Sequence, residues 1–211
     1  MRIVFFGDSI TDASRNREED FILSSYGFGY VHNVASKLMT ENPNEHVIYN
    51  RGISGNRVVD LYARIKKDLW NLKPDLISIF IGVNDVWHEI GHENGVELDR
   101  FDKVYRMMLD DTKKVLPNAK IMLVEPFVMH GTRTDLQEGE YEKFTAVFEY
   151  AKVVKKIAKD YGIPLVELQD TLNAYGKANG SDFITFDGVH PNITGAQVIA
   201  DEWLKVYKEN I

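Results

Sequence analysis

Residues 3–10 have the sequence Ile-Val-Phe-Phe-Gly-Asp-Ser-Ile, in which a short apolar run gives way at once to Gly7, Asp8 and Ser9. A run of this length, followed by a glycine turn, is typical of a buried strand of a parallel sheet. In such sheets the reactive groups collect outside the carboxyl ends of the strands. The stretch therefore predicts an α/β fold with Ser9 at the edge where a substrate can reach it.

Apolar runs of strand length recur along the chain and alternate with segments of helical periodicity. Strands are predicted at Arg2–Phe6, His46–Tyr49, Asp75–Ile81, Lys120–Val124 and Ile163–Leu168. Helices are predicted at Gly29–Met39, Val58–Leu72, Phe101–Leu116, Tyr141–Tyr161 and Ile193–Glu209. This alternation predicts a parallel five-stranded sheet covered by helices on both faces. No linker or change of composition divides the chain, so residues 1–211 are expected to form one domain.

The composition excludes several classes of function. The chain has 211 residues, of which 44% are hydrophobic, and a formal net charge of −7. An acidic balance argues against nucleic acid or an anionic membrane as the main partner. The absence of cysteine removes disulfides, thiolate metal sites and cysteine nucleophiles. With no signal-peptide pattern and no apolar window of membrane-spanning length, a cytoplasmic protein is expected.

Polar segments that contain glycine follow three of the predicted strands, and another such segment precedes the last helix. They are Gly7-Asp8-Ser9, residues 50–56, Gly82-Val83-Asn84-Asp85 and residues 187–190. Because parallel strands end at one edge of the sheet, these segments are expected to meet. Together they hold a hydroxyl, an imidazole and carboxylates, which are the groups used in acyl transfer.

The residues suggest a division of chemical roles. Ser9 is the candidate nucleophile, His190 the candidate general base, and Asp187 the candidate acceptor of the second imidazole N–H. The oxyanion of a tetrahedral intermediate needs preorganised donors. The candidates are the backbone N–H groups of Ser9 and Gly55 and the side-chain amide of Asn84. Each of these residues also has a structural alternative, since Ser, Asn, Asp and Gly are the ordinary residues of turns and helix caps.

Further residues are expected around this centre. Asp8 is expected to hold the first turn by accepting backbone N–H bonds, and we group it with Trp87 and His88 as candidate substrate-binding residues. Trp87 would suit a sugar ring if exposed, although it could equally be packed in the core. Asp8 is also an alternative to Asp187 as the acid that orients the imidazole. The segment 125–140 has little periodicity and is expected to be a loop near the site.

The four segments, in this order, resemble the four sequence blocks of the SGNH hydrolases, also called the GDSL esterase/lipase family. The blocks correspond to Ser9 in Gly-Asp-Ser-Ile, Gly55 in Gly-Ile-Ser-Gly-Asn, Asn84 in Gly-Val-Asn-Asp, and His190 in Asp-Gly-Val-His-Pro. The resemblance implies a flavodoxin-like three-layer α/β/α sandwich and hydrolysis of esters or thioesters without a metal or other cofactor. Within the family, the second and third blocks are similar to those of bacterial acetylxylan esterases and related carbohydrate deacetylases.

One motif points elsewhere. The sequence His-Glu-Ile-Gly-His at residues 88–92 matches the H-E-x-x-H pattern of zinc peptidases. Gly91 and Gly95 weaken the helix that such a site needs, and the position of the next ligand holds Leu98 rather than histidine. We therefore expect no metal, and we interpret the segment as a polar loop beside the pocket.

Several functions fit the sequence. The first is a serine esterase that removes short acyl groups, most simply acetyl, from a small-molecule or oligosaccharide ester. A lysophospholipase or acyl thioesterase would use the same residues but needs a long apolar groove. A non-catalytic domain that binds a nucleotide or sugar is a third, although the chain lacks a Gly-x-Gly-x-x-Gly or phosphate-binding loop. The sequence leaves open whether the long helix around residues 144–151 forms a homo-oligomer contact.

Overall fold

Five strands form the central sheet of the computed structural model, which describes residues 1–211. They are β1 (Arg2–Gly7), β2 (Val47–Gly52), β3 (Leu76–Phe80), β4 (Lys120–Val124) and β5 (Leu165–Val166). All neighbouring strands pair in parallel, in the spatial order β2-β1-β3-β4-β5. This is the flavodoxin-like order, and it confirms the predicted parallel five-stranded sheet.

Helices cover both faces of the sheet and complete a three-layer α/β/α sandwich. They are α1 (Ser9–Asp12), α2 (Tyr30–Glu41), α3 (Val58–Asp68), α4 (Val83–His92), α5 (Leu98–Val115), α6 (Glu140–Phe144), α7 (Val147–Tyr161), α8 (Gln169–Asn179) and α9 (Ile193–Asn210). Helix α2 packs against α9, while α5 packs against both α3 and α7. Each of these helices has an apolar stripe at helical spacing, which it buries against the sheet.

The core fills the space between these layers with aromatic and branched side chains. Phe5 on β1 is fully buried and lies 5.0 Å, between ring centroids, from Trp203 of α9. The indole N–H of Trp203 donates to the hydroxyl of Ser78 on β3 at 2.9 Å. This bond satisfies two polar groups that would otherwise be costly to bury.

The strand register brings three loops to the same level of one edge. Gly7, the last residue of β1, is aligned with Gly52 at the end of β2 and with Phe80 at the end of β3. The strand order reverses between β1 and β3, because β2 lies on one side of β1 and the later strands lie on the other. A crevice opens at such a reversal, so the fold itself selects the edge that follows Gly7 and Phe80 as the binding site.

The structure corrects the predicted helices in several places. Residues 83–92 form helix α4, whereas we expected a polar loop over residues 88–92. This helix buries Asn84 and Asp85 beside its valines. Its inner face therefore lacks the continuous apolar stripe from which a helix is predicted. Helix α8 was not predicted either, since Leu172 is its one buried residue. The predicted helix Tyr141–Tyr161 is divided into α6 and α7, and the predicted helix Val58–Leu72 ends as a short 3-10 turn, Trp70–Leu72.

The observed strands differ from the predicted strands mainly in length. Strand β2 continues to Gly52 rather than ending at Tyr49, because the polar side chain of Asn50 is satisfied within the core. Its amide donates to the carbonyl oxygens of Thr11 and Tyr26 at 2.6 and 2.9 Å. Strand β5 is shorter than predicted, with two residues in the ladder.

None of the helices has the length and apolar character needed to cross a membrane.

Candidate active site

Ser9, His190 and Asp187 form one hydrogen-bonded chain. The hydroxyl oxygen of Ser9 lies 2.8 Å from Nε2 of His190, and Nδ1 of the same ring lies 2.7 Å from Oδ2 of Asp187. With its proton on Nδ1, the imidazole donates to the carboxylate and can accept the hydroxyl proton at Nε2. The structure thus brings together three residues that the sequence separates by up to 181 positions.

Helix α1 turns Ser9 out of the core. Asp8 precedes this helix as its N-cap, and its carboxylate accepts the N–H of Ile10 at 3.0 Å, as expected for the residue that holds the turn. Asp8 is 1% exposed, so it does not reach the surface of the crevice. Burial raises the pKa of Asp8 to about 7, although the Ile10 N–H and nearby His190 favour its charged form.

The segment 185–191 presents His190 from the opposite side. The second carboxylate oxygen of Asp187 accepts the backbone N–H groups of Val189 and His190 at 3.0 and 2.8 Å. Burial by itself would raise the pKa of Asp187, but the hydrogen bonds from His190 and Val189 outweigh it and hold the pKa below its usual value. Asp187 therefore stays ionised beside the imidazole.

A small cavity of about 320 Å³ lies between Ser9, Gly55, Asn84 and His190. The backbone N–H groups of Ser9 and Gly55 have no acceptor within the protein. Gly55 adopts a left-handed conformation with φ of 81°, which favours glycine at this turn. Asn84 lies in the first turn of α4, and its amide donates to the carbonyl oxygen of Asn56 at 3.1 Å, which fixes the direction of the side chain.

Buried polar contacts hold the loop that carries Gly55. The carboxylate of Asp12 accepts the N–H of Ser54 at 3.0 Å and pairs with Arg17. The guanidinium of Arg64 donates to the side chain of Asn56 at 2.7 Å and to the carbonyl oxygen of Gly7 at 3.0 Å.

A further carboxylate closes this network from the side of α4. Asp85 accepts the N–H of Val58 at 3.0 Å, where α3 begins. Burial raises the pKa of Asp85 well above its ordinary value. The loop is therefore tied to α1, α3 and α4 at once.

A larger cleft of about 720 Å³ opens on the other side of Ser9. Aromatic side chains wall it: Trp87 lies 5.9 Å from the His190 ring, and Phe186 stacks on that ring at 5.6 Å, both between ring centroids. Phe28 also lines the cleft and is largely exposed. This lining offers flat apolar faces next to a polar centre.

The structure locates the remaining candidates as follows. Trp87 lines both cavities and is half-buried, with one edge against Phe144. His88 lines the small cavity, whereas Asp8 lines neither. His88 and His92 face each other on α4 at 6.1 Å between ring centroids, and no group of three or more His, Cys, Asp or Glu side chains is arranged to hold a metal ion.

Sequence reasoning missed two residues of the cleft in the segment 125–140. Thr132 and Arg133 both line it. The segment was expected near the site, but it has no periodicity that would indicate which of its side chains face inward. The one usable signal is its position directly after β4.

Comparisons with known proteins show the family to which the chain belongs. The family described as GDSL-like lipase/acylhydrolase matches residues 5–198. The chain belongs to this family. The acetylxylan esterase of Geobacillus stearothermophilus is 33% identical over 210 residues, which cover 97% of this chain and 92% of that protein. The chain is therefore a carboxylic ester hydrolase.

Solved structures of the family superimpose over almost the whole chain. The crystal structure of Axe2, the Geobacillus stearothermophilus acetylxylan esterase, has a TM-score of 0.85 at 33% identity and covers 97% of this chain and 93% of its own. A GDSL-like protein of Parabacteroides merdae reaches a TM-score of 0.90 at 34% identity, covering 98% of this chain and 95% of its own. LAE5, an α/β hydrolase enzyme from a Lake Arreo metagenome, has a TM-score of 0.87 at 28% identity, with 98% and 94% covered.

Proposed function

We propose that this hydrolase is a serine esterase that removes short acyl groups, most simply acetyl, from carbohydrate, with residues 1–211 acting as one domain. The observation that carries the proposal is the hydrogen-bonded chain from Ser9 through His190 to Asp187, at 2.8 and 2.7 Å. Two crystal structures of the related acetylxylan esterase, with alanine in place of a serine or an aspartate, are described as catalytic mutants.

The first half of the reaction acylates Ser9. Nε2 of His190 takes the hydroxyl proton while Oγ of Ser9 attacks the ester carbonyl carbon, and Asp187 stabilises the imidazolium. The carbonyl oxygen becomes an oxyanion in the small cavity, where the N–H groups of Ser9 and Gly55 and the amide of Asn84 can donate to it. The ester C–O bond then breaks, and the alcohol leaves with the proton from Nε2.

The second half returns the enzyme to its starting state. A water molecule gives one proton to Nε2 of His190 and attacks the acyl carbon, so that an oxyanion forms again in the same cavity. Collapse of this intermediate breaks the bond to Oγ of Ser9, which recovers its proton from His190. The products are a carboxylic acid and free enzyme, and the one water molecule consumed supplies both the oxygen of the acid and the proton that returns to Ser9 through His190.

The two cavities support the choice of substrate. The small cavity of about 320 Å³ is walled by Asn84, Trp87 and His88, and this lining suits a short acyl group. The larger cleft of about 720 Å³, with Trp87, Phe186 and Phe28 around it, can take the alcohol part. Aromatic faces combined with polar groups are well suited to the apolar faces of sugar rings.

A series of acyl chain lengths tests this proposal. We expect kcat/KM on 4-nitrophenyl esters to be highest for acetyl or propionyl and to fall steadily toward decanoyl. We also expect acetate to be released from acetylated xylo-oligosaccharides. A kcat/KM that rises toward decanoyl, with no acetate released from the oligosaccharides, would instead support a lipid esterase or thioesterase.

A further inference from the structure

Arg133 has an unusual position relative to the site. It lines both the large cleft and the small cavity, as do Ser9 and His190. Its backbone is fixed, because its N–H donates to the carbonyl oxygen of Asp187 at 2.9 Å. The next residue, Thr134, is fully buried and donates to the carbonyl oxygen of Met129 at 2.7 Å. The base of the side chain is thus built rigidly into the site.

The guanidinium of Arg133 has no partner within the protein. Every other arginine of the chain donates a hydrogen bond or forms an ion pair, as the following residues show: Arg2, Arg15, Arg17, Arg51, Arg57, Arg64, Arg100 and Arg106. Arg133 is exposed and takes part in neither kind of contact. A planar group with five N–H donors is therefore left free at the mouth of the site.

The charged side chains that line the two cavities are also informative. The chain as a whole carries a formal net charge of −7. Nevertheless, Asp187 is the one carboxylate that lines either cavity, and it is engaged by His190. The small cavity adds His88 and His92 and holds no acidic side chain. An acidic protein thus presents a substrate site whose free charge is positive, which favours an anionic ligand.

We infer that Arg133 binds an anionic substituent, a carboxylate or a phosphate, on the alcohol part of the substrate. The inference rests on the proposed function, which places the acyl carbon at Ser9. A group as small as acetyl has no room for a charge, so the anion belongs to the sugar. An acetylated uronic acid or sugar phosphate has this chemistry, and the forked guanidinium matches both groups with paired hydrogen bonds.

The test compares sugars that differ in whether they carry one anionic group, and in which group it is. The substrates are an O-acetylated methyl glucuronoside, its uncharged uronamide, and an equally acetylated methyl glucoside 6-phosphate. Because Arg133 is exposed, we expect kcat/KM at low ionic strength to be about threefold to tenfold higher for the uronate or the phosphate than for the uronamide. The preference should shrink as salt is added. The larger of the two gains identifies the anion.

Arg133→Gln should bring the ratio between charged and uncharged sugars close to one. The ratio cancels any change in the chemical step that the sugars share. The matched control is Arg100→Gln, which removes the same charge from an exposed position that lines neither cavity. This control should keep the wild-type ratio.

Each remaining outcome is decisive. Equal kcat/KM values for the three sugars in the wild type, or a preference that survives Arg133→Gln, would overturn the inference and leave the proposed esterase intact. A wild type that hydrolyses none of these sugars would also overturn the inference, and acetate release from acetylated xylo-oligosaccharides would decide separately whether the proposed carbohydrate esterase stands.

Discussion

The part of the site that carries Ser9 is held by three buried carboxylates, whereas the part that carries Asp187 and His190 is held mainly by direct contacts between two backbone segments. On the nucleophile side, which comprises residues 7–12, 52–58 and 83–85, the carboxylates of Asp8, Asp12 and Asp85 accept backbone N–H groups. On the base side, which comprises residues 126–134 and 184–191, the N–H groups of Met129 and Arg133 donate to carbonyl oxygens of the neighbouring segment.

This difference has consequences for mutation. The contribution of a buried carboxylate to stability depends on whether it is ionised, and hence on pH. The packing of two backbone segments in direct contact depends on shape, because no side chain lies between them that could change its rotamer to make room. We therefore expect the nucleophile side to be sensitive to charge and pH, and the base side to be sensitive to the volume of small residues such as Gly131.

The largest effect is expected at Asp187, a base-side residue that acts on Ser9 through His190. Asp187→Asn keeps the size of the side chain but places an N–H donor where the imidazole needs an acceptor, which favours the wrong tautomer. By analogy with serine proteases, we expect kcat on 4-nitrophenyl acetate to fall by ~10⁴-fold. Asp201→Asn, an exposed change on α9, should leave kcat unaltered. A loss of less than tenfold in Asp187→Asn would mean that Asp187 does not orient the base.

A smaller loss is expected on the nucleophile side. Asn84→Ala removes a donor to the oxyanion, so kcat should drop by ~10²- to 10³-fold. The KM should change much less, because the donor acts mainly in the transition state. Asn118→Ala, at an exposed turn before β4, provides the control. A change confined to KM would show that Asn84 binds substrate and does not stabilise the intermediate.

On the base side, Gly131→Ala tests the dependence on shape. A Cβ at this position would lie 2.2 Å from the backbone nitrogen of Gly188 and 2.3 Å from the carbonyl carbon of Asp187. Because neither atom can move alone, we expect a loss of ~1–3 kcal/mol in the free energy of unfolding, with a fall of roughly tenfold in kcat as His190 shifts.

Gly91→Ala is the matched control. No atom lies within 4 Å of a Cβ placed at Gly91, which is a residue of α4. This variant should gain about 0.5–1 kcal/mol from helix propensity. Equal stability of the two alanine variants in urea denaturation would contradict the account of the base side.

The remaining expected change concerns how stability depends on pH. The pKa of Asp8 is raised from 3.8 to about 7 in the folded protein. Between these two values the folded state keeps a proton that the unfolded state has lost, so this group lowers the free energy of unfolding as pH rises. At 1.36 kcal/mol per pH unit, the raised pKa of Asp8 lowers the free energy of unfolding above pH 7 by at most about 4 kcal/mol.

Asp8→Asn retains an oxygen acceptor for the Ile10 N–H but cannot ionise. Relative to the wild type, it should therefore gain stability progressively as the pH is raised from 4 to 8, measured by urea denaturation at each pH. The stability difference between Gly131→Ala and the wild type should stay constant over the same range. A stability difference for Asp8→Asn that does not depend on pH would remove the distinction between the two sides.

The sequence alone predicts the framework of this molecule well. Five apolar runs give the five strands, and the glycine-containing segments that follow them give Ser9, Gly55 and Asn84 at one edge. These features are local, because each depends on a run of neighbouring residues. The sequence also placed Asp187 three residues before His190, which is the spacing that their hydrogen bond uses.

The parts that could not be predicted depend on contacts between distant segments. Helix α4 buries Asn84 and Asp85, so its apolar pattern is interrupted by residues whose hydrogen bonds come from other loops. Arg133 faces the site because its backbone binds Asp187, which is 54 positions further along the chain. The sequence of residues 125–140 has no periodicity from which this contact could be predicted.

Covalent labelling of the intact protein with a fluorophosphonate probe tests whether Ser9 is a nucleophile that His190 activates. We expect one adduct, which peptide mapping locates on Ser9, and no adduct after Ser9→Ala. In His190→Ala we expect labelling to be at least a hundredfold slower, because the hydroxyl loses its base. An adduct on another residue, or labelling of Ser9 at the wild-type rate without His190, would contradict the claim that these two side chains act as one unit.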